Sequence, residues 1–218
     1  MQRNPAIEKR LQREKERRIQ EILQAAQRVM LIKNYSGATM EDIAAEAGIT
    51  KPTIYQYFKT KDELFVSMVS PLIEYLATRL ESIRMSVEKG GYNSGKDIIH
   101  DVFNVYYETF EQDQDMFRLF NIFLQVEATR EMNKKAAAII KEWGIKCFQE
   151  GNRIVHTAIE EGLFKKVDVF HTTDFAWGAF WGIVQVEQNK WGKKGISRYL
   201  KPVLQYTEDL LVKALVEK

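Results

Sequence analysis

Cysteine is nearly absent. Cys147 stands alone, which excludes an intramolecular disulfide and a cysteine-built metal cluster. Proline is almost as scarce, with 4 residues, and 12 glycines are spread over 218 positions, so helix breakers are few. No stretch approaches the roughly 18 apolar residues of a membrane span. The charged start (Arg3, Glu8, Lys9, Arg10) has no apolar core of a secretory signal. A cytoplasmic chain with no membrane partner is expected. Catalytic signatures are missing too: there is no P-loop, no G-x-S-x-G, and His100, His156 and His171 have no metal-ligand spacing. No catalytic residue, metal or cofactor is expected, and the chain reads as a non-enzyme. Glu160-Glu161 and Asp113/Asp115 read as solvated charges.

What remains is helix. An apolar share of 45% with 28% charged residues suits a soluble globular protein. Net charge is +2, but up to Leu64 there are 12 Lys/Arg against 9 Asp/Glu, and beyond it 20 against 21. The first part is therefore the basic one, which permits nucleic-acid binding. Residues 5–18, "PAIEKRLQREKERR", are highly charged and read as a solvated helical extension or a mobile arm, or else as a basic arm that touches DNA phosphates or a minor groove. Ile19, Ile22, Leu23, Ala26, Val29 and Met30 recur at helical spacing, predicting a first amphipathic helix to about Asn34, stopped by Ser36-Gly37. Thr39-x-x-Asp42 and Thr60-x-x-Glu63 are capping boxes, and Thr50 with Pro52 starts a short helix between them. Further helices are predicted from Pro71 to about Lys89, and near 96–110, 114–131, 134–161, 172–190 and 196–216. No strand-like alternation appears, so the fold class is all-α. The expected division is a charged extension (1–18), a DNA-binding domain (19–66) and a larger helical domain (67–218).

Two short capped helices joined by a glycine-containing turn form a helix-turn-helix. Ala44, Ala45 and Ala47 permit a close crossing, and Gly48 turns the backbone. In "GITKPTIYQYF", Ile54 and Phe58 lie four apart and point inward, leaving Lys51, Thr53, Gln56 and Tyr57 outside and Tyr55 at the side. Glutamine can bond adenine, lysine guanine, and the threonine methyl a thymine methyl. Tyr55 and Lys61 suit phosphates. Alternatively, Tyr55, Tyr57 and Phe58 simply pack a bundle core.

The stretch 38–65, "ATMEDIAAEAGITKPTIYQYFKTKDELF", resembles the DNA-binding signature of the TetR family of bacterial transcriptional regulators. The resemblance implies a homodimer on a roughly palindromic operator, with repression relieved by a small molecule in the larger domain. By position, Thr39, Tyr55 and Lys61 resemble the family's phosphate contacts. Thr50, Lys51, Pro52, Thr53, Gln56 and Tyr57 belong to the start and base-facing side of the reading helix. Pro52 stands where many members carry glycine.

The larger domain is rich in aromatics: Phe103, Tyr106, Tyr107, Phe110, Phe117, Phe120, Phe123, Trp143, Phe148, Trp177 and Trp181. Such residues line a hydrophobic cavity or pack a solid core. The resemblance places a pocket for a small hydrophobic effector among them. Gly178 and Gly182 lie four apart inside a helical segment, at a cost of about 1 kcal/mol each relative to alanine, which predicts close approach of another helix. The resemblance puts the dimer contact on helices 134–161 and 172–190. Two alternatives are a DNA-binding regulator or structural factor without an inducer, and a helical protein whose helix-turn-helix is vestigial.

Overall fold

A 33-residue helix, α1 (Pro5–Gly37), opens the chain, with proline where a missing N–H costs nothing. The computed structural model describes residues 5–124 and 132–216, with side chains except at 122–124 and 191–197. Among the described residues there is no strand. Seven helices follow α1: α2 (Met40–Glu46), α3 (Lys51–Tyr57), α4 (Lys61–Glu88), α5 (Gly95–Gln112), α6 (Gln114–Leu124), α7 (Lys134–Glu160) and α8 (Val169–Leu215). The all-α class is thereby met. No helix among them is long and apolar enough to cross a membrane.

Two expected breaks, at Pro71 and between 190 and 196, are absent. Residues 5–18 and 19–34 form one helix, held over the charged part by i,i+4 pairs such as Arg10–Glu14 at 3.0 Å and Gln12–Glu16 at 2.8 Å. Regular helix ends at Asn34 (φ 60°, ψ 174°), ahead of Ser36-Gly37. Pro71 does not start a helix but lies inside α4, losing one backbone bond while packing holds both flanks. The predicted helices 172–190 and 196–216 are one 47-residue helix with Pro202 inside. Only 114–124 of the helix expected at 114–131 is described, and 125–131 lie outside the described residues.

The chain divides into two compact units. The first comprises residues 1–72 and 113–142. There α1 packs against α2 and α6, and α2 against α3. Ile22, Ala26 and Met30 of α1, Ile43 of α2, Ile54 of α3 and Leu64 and Phe65 of α4 are fully enclosed. Arg28–Glu46 (2.6 Å) and Lys33–Asp42 (2.7 Å) flank the α1–α2 seam. Asp113 is no free surface charge: it accepts from the Met116 N–H at 2.8 Å, capping α6, and from the Gln27 amide at 2.8 Å.

The second unit comprises residues 73–112 and 143–218, with α5 packed along α8. Phe103, Phe110 and Phe180 form its centre. Arg84 reaches Glu150 at 2.6 Å, a carboxylate only 5% exposed, so one of the few buried charges is paired. Burial raises the Cys147 thiol to about 12, so it stays protonated and inert. Within this unit the close approaches are made by Gly95 and Gly151. A methyl group added at Gly95 would overlap the Leu163 carbonyl, and one at Gly151 would come within 2.7 Å of the Thr173 methyl. Gly178 and Gly182 have nothing within 4 Å of such a methyl among the described residues. Gly95→Ala is therefore expected to lose about 1–3 kcal/mol of stability through overpacking, read from the urea midpoint.

Candidate nucleic-acid interface

The reading unit is assembled from caps. Thr39 receives the Asp42 N–H at 3.1 Å, and the Asp42 carboxylate receives the Thr39 N–H at 3.2 Å, closing the reciprocal box. The Thr39 side chain is exposed, and its hydroxyl proton remains to donate. Gly48 takes φ +66°, a left-handed turn that suits glycine and lets the Ile49 N–H close on the Ala44 carbonyl at 2.9 Å. Thr50 holds the N-cap position of α3, yet its hydroxyl bonds the Thr53 hydroxyl at 2.8 Å and not a backbone N–H. Thr60 caps α4 through the Glu63 N–H (3.1 Å), but the Glu63 carboxylate turns back to the Lys59 N–H at 2.8 Å.

On α3, Ile54 and Phe58 are buried, as the four-residue spacing predicts. Lys51, Pro52 and Gln56 are exposed, while Thr53, Tyr55 and Tyr57 are half-buried. Tyr55 and Tyr57 are therefore only part exposed, and neither is a core residue. Lys51 is engaged by Glu41 of α2 in an exposed ion pair. Its hydrogen bond lowers the Glu41 carboxyl and raises the Lys51 ammonium. Any other anion at this lysine would share it, or compete, with Glu41.

Lys61 has a structural task that the sequence does not disclose. Its ammonium donates to the Tyr35 carbonyl at 2.7 Å and the Ser36 carbonyl at 3.4 Å, and lies 4.4 Å from the Tyr35 ring centre. It thereby satisfies carbonyls at the end of α1. Tyr35 itself is buried edge-on against Phe65 at 5.1 Å, and its hydroxyl donates to the Asp62 carboxylate. Asp62 also accepts from the Asn133 backbone N–H at 2.9 Å and from the Asn133 side-chain amide. One carboxylate therefore ties together the end of α1, the start of α4 and the residue before α7. Burial alone would raise its pKa, but the Tyr35 and Asn133 hydrogen bonds outweigh burial and hold it below the usual carboxylate value.

The aromatic candidates scatter. Phe103, Tyr106 and Phe110 are buried in the second unit, and Tyr107 is half-buried with the Lys201 ammonium 4.8 Å from its ring. Tyr106 is the centre of a ring cluster, 5.1 Å from Trp177 and 5.4 Å from Phe180, with Trp181 5.8 Å from Trp177. Trp143 is half-buried and Phe148 is 39% exposed. Phe117 is buried and Phe120 half-buried on α6 in the first unit, while the side chain of Phe123 lies outside the described residues. A cavity of about 40 Å³ lies among Phe103, Tyr106, Ile154, Thr173 and Leu211. That is room for a few water molecules. Sequence patterning misses Asn121, whose side-chain amide is buried on α6 with neither its nitrogen nor its oxygen hydrogen-bonded.

Residues 22–68 match the family described as "Bacterial regulatory proteins, tetR family". The chain is 25% identical over 121 residues to the uncharacterized HTH-type transcriptional regulator YdgC of Bacillus subtilis (strain 168), covering 56% of this chain and 60% of that protein. It is 40% identical over 53 residues to the HTH-type transcriptional regulator EthR of Mycolicibacterium smegmatis, 24% of each chain. The matched regions thus span less than two thirds of these relatives. The solved structure of the transcriptional regulator FadR from Bacillus subtilis in complex with stearoyl-CoA shares the fold, with a TM-score of 0.61 at 21% identity over 85% of this chain and 95% of that one. The relatives are regulators and not enzymes.

Removing the Tyr35 hydroxyl should expose the role of the clasp. Because the folded pKa of Asp62 is depressed, its stabilisation is present above the ordinary carboxylate value of about 3.9 and lost as pH falls through the folded value. Tyr35→Phe is expected to cost about 1–3 kcal/mol at pH 7. It should also raise the Asp62 midpoint followed by carboxyl NMR. An unchanged midpoint would show that the clasp does not hold the carboxylate.

Proposed function

We propose that this chain, a member of the tetR family of bacterial regulatory proteins through its residues 22–68, is a ligand-responsive repressor. It binds a palindromic double-stranded operator as a homodimer in the cytoplasm and is released by a small hydrophobic effector. The observation that carries the reading is α3: an apolar side anchored by Ile54 and Phe58, and an opposite side offering Lys51, Pro52 and Gln56. Thr53, Gln56 and Tyr57 with Lys51 read bases. Thr39, Thr50 and Tyr55 take phosphates, and Lys61 holds the end of α1 while adding positive charge beside them. The working division is an extension at 1–18, a reading domain at 19–66 and an effector and dimer domain at 67–218.

Exposed Ile145 and Phe148 on α7, and Phe175 and Val186 on α8, support a dimer contact through 134–161 and 172–190. The open space over Gly178 and Gly182 is where a partner helix would approach. The effector reading draws support from the aromatic cluster around Tyr106 and from the long acyl ligand held by FadR in the same fold. A drug-sized ligand needs about 300–1,000 Å³, so binding must enlarge the 40 Å³ cavity. That small cavity also favours a second reading, a DNA-binding regulator without an inducer.

Selecting bound DNA from a random pool, with and without long-chain acyl-CoA and other apolar ligands, tests the whole reading. Enrichment of a palindrome, lost on adding a ligand, is expected; enrichment unaffected by every ligand favours the inducer-free regulator. No enrichment at moderate salt would sink both. Gln56→Ala should relax base preference at one position per half-site, by about 1–3 kcal/mol. Glu41→Gln should raise affinity a few-fold for all sequences by releasing Lys51. Asn121→Leu should leave the protein as stable or about 1 kcal/mol more stable, because an unsatisfied amide is removed.

A further inference from the structure

The reading helix shares its flank with the charged start of α1. Residues 5–17 are all exposed, and 5–18 hold Lys9, Arg10, Arg13, Lys15, Arg17 and Arg18 against Glu8, Glu14 and Glu16, a balance of +3. The acids are largely engaged by particular partners. Arg10 pairs with Glu14 at 3.0 Å, the Gln12 amide takes Glu16 at 2.8 Å, and Arg18 holds Glu21 at 2.6 Å. Lys9, Arg13 and Lys15 make no ion pair or hydrogen bond with any described residue. They are cations with nothing to neutralise them inside the described chain.

Their placement is specific. A groove of about 490 Å³ is lined by Leu11, Glu14, Lys15, Arg17 and Arg18 of α1 and by Gln56 and Tyr57 of α3, three cations against one acid. Gln56 and Tyr57 sit on the side proposed to face DNA, so whatever α3 docks on also passes the α1 extension. A second groove of about 430 Å³ continues along α1 past Lys9, Arg10, Arg13 and Arg17, with Glu14 its sole acid. At 1.5 Å per residue the extension is about 20 Å long, the rise of roughly six base pairs.

We propose that the α1 extension is a second nucleic-acid site, in which Lys9, Arg13 and Lys15 grip backbone phosphates of the duplex flanking each half-site. It rests on the DNA-binding reading of α3. The class of ligand follows from the chemistry: long, separately solvated cations on a rigid helix neutralise phosphates and carry no planar donor–acceptor pair in a fixed pose for base edges. The site therefore adds affinity and salt dependence without changing which sequence is chosen.

The test uses the DNA that the full chain selects, made in two lengths: one ending at the outer edges of the palindrome, and one with about ten further base pairs on each side. The unaltered protein should bind the longer duplex at least about tenfold more tightly at low salt. A triple variant, Lys9→Gln with Arg13→Gln and Lys15→Gln, should erase that difference and leave the short duplex bound as before. On the longer duplex the slope of log K against log salt should shrink by about 0.9 for each phosphate that the variant no longer neutralises. Hydroxyl-radical footprinting of the unaltered protein gives an independent reading, with protection expected to run several base pairs past each half-site. Equal affinity for both lengths, or a footprint ending at the half-sites, overturns the proposal, as does a triple variant that keeps the tenfold preference. A change in association state without a change in DNA affinity also overturns it, making the extension a protein-docking helix. If the unaltered chain selects no DNA at all, the failure lies with the reading of α3 and not with the extension alone.

Discussion

The Asp62 carboxylate is the constraint on which the reading unit depends. Three segments far apart in sequence meet on it: Tyr35 at the end of α1, Asp62 itself in the first turn of α4, and Asn133 just before α7. A carboxylate has about four acceptor positions, and this one is used from both sides. Lys61, its neighbour, closes the same joint by taking the carbonyls of Tyr35 and Ser36. The helices α2 and α3 are too short to hold themselves in water. They keep their pose because α1 and α4, which flank them in sequence, are fixed to each other at this point. Any side chain that α3 offers to a ligand is aimed by that joint.

The electrostatic pattern of the reading unit has a consistent logic. Acids near the outer face are paired with cations that a polyanion would also seek, Glu41 with Lys51 most directly. Such a pair is weak in water and screened by salt. Lys9, Arg13 and Lys15 of the α1 extension have no such partner, unlike Arg10 and Arg18 beside them. The contrast separates a side chain that must be aimed from one that need only be near.

Much of the architecture is legible in the residues. The Thr39–Asp42 box, the turn at Gly48 and the inward pair Ile54 and Phe58 are local patterns, and local patterns survive folding. The helical class follows from periodicity. Inferences about neighbours are the harder ones. A glycine's identity does not say what lies opposite, and within the chain it is Gly95 and Gly151 that make the close approaches. Pro71 and the stretch around residue 191 carry stop signals that the fold overrides, because packing on both sides takes a helix through a missing bond or a weak former. The Asp62 clasp spans 71 residues to Asn133 and has no signature in spacing. Asn121 is invisible for the opposite reason: an asparagine on an apolar helix is ordinary until its amide is found without a partner.

Pro71 has one more consequence. The chain leaves its first compact unit at Leu72 and enters the second at Ile73, inside α4 and just past the proline. A proline nitrogen has no hydrogen to give, so the Ser67 carbonyl lacks its usual helical donor. The rod is one backbone bond short almost at the place where it passes from one unit's core to the other's, so that stretch of α4 is held by side-chain packing more than by its own ladder.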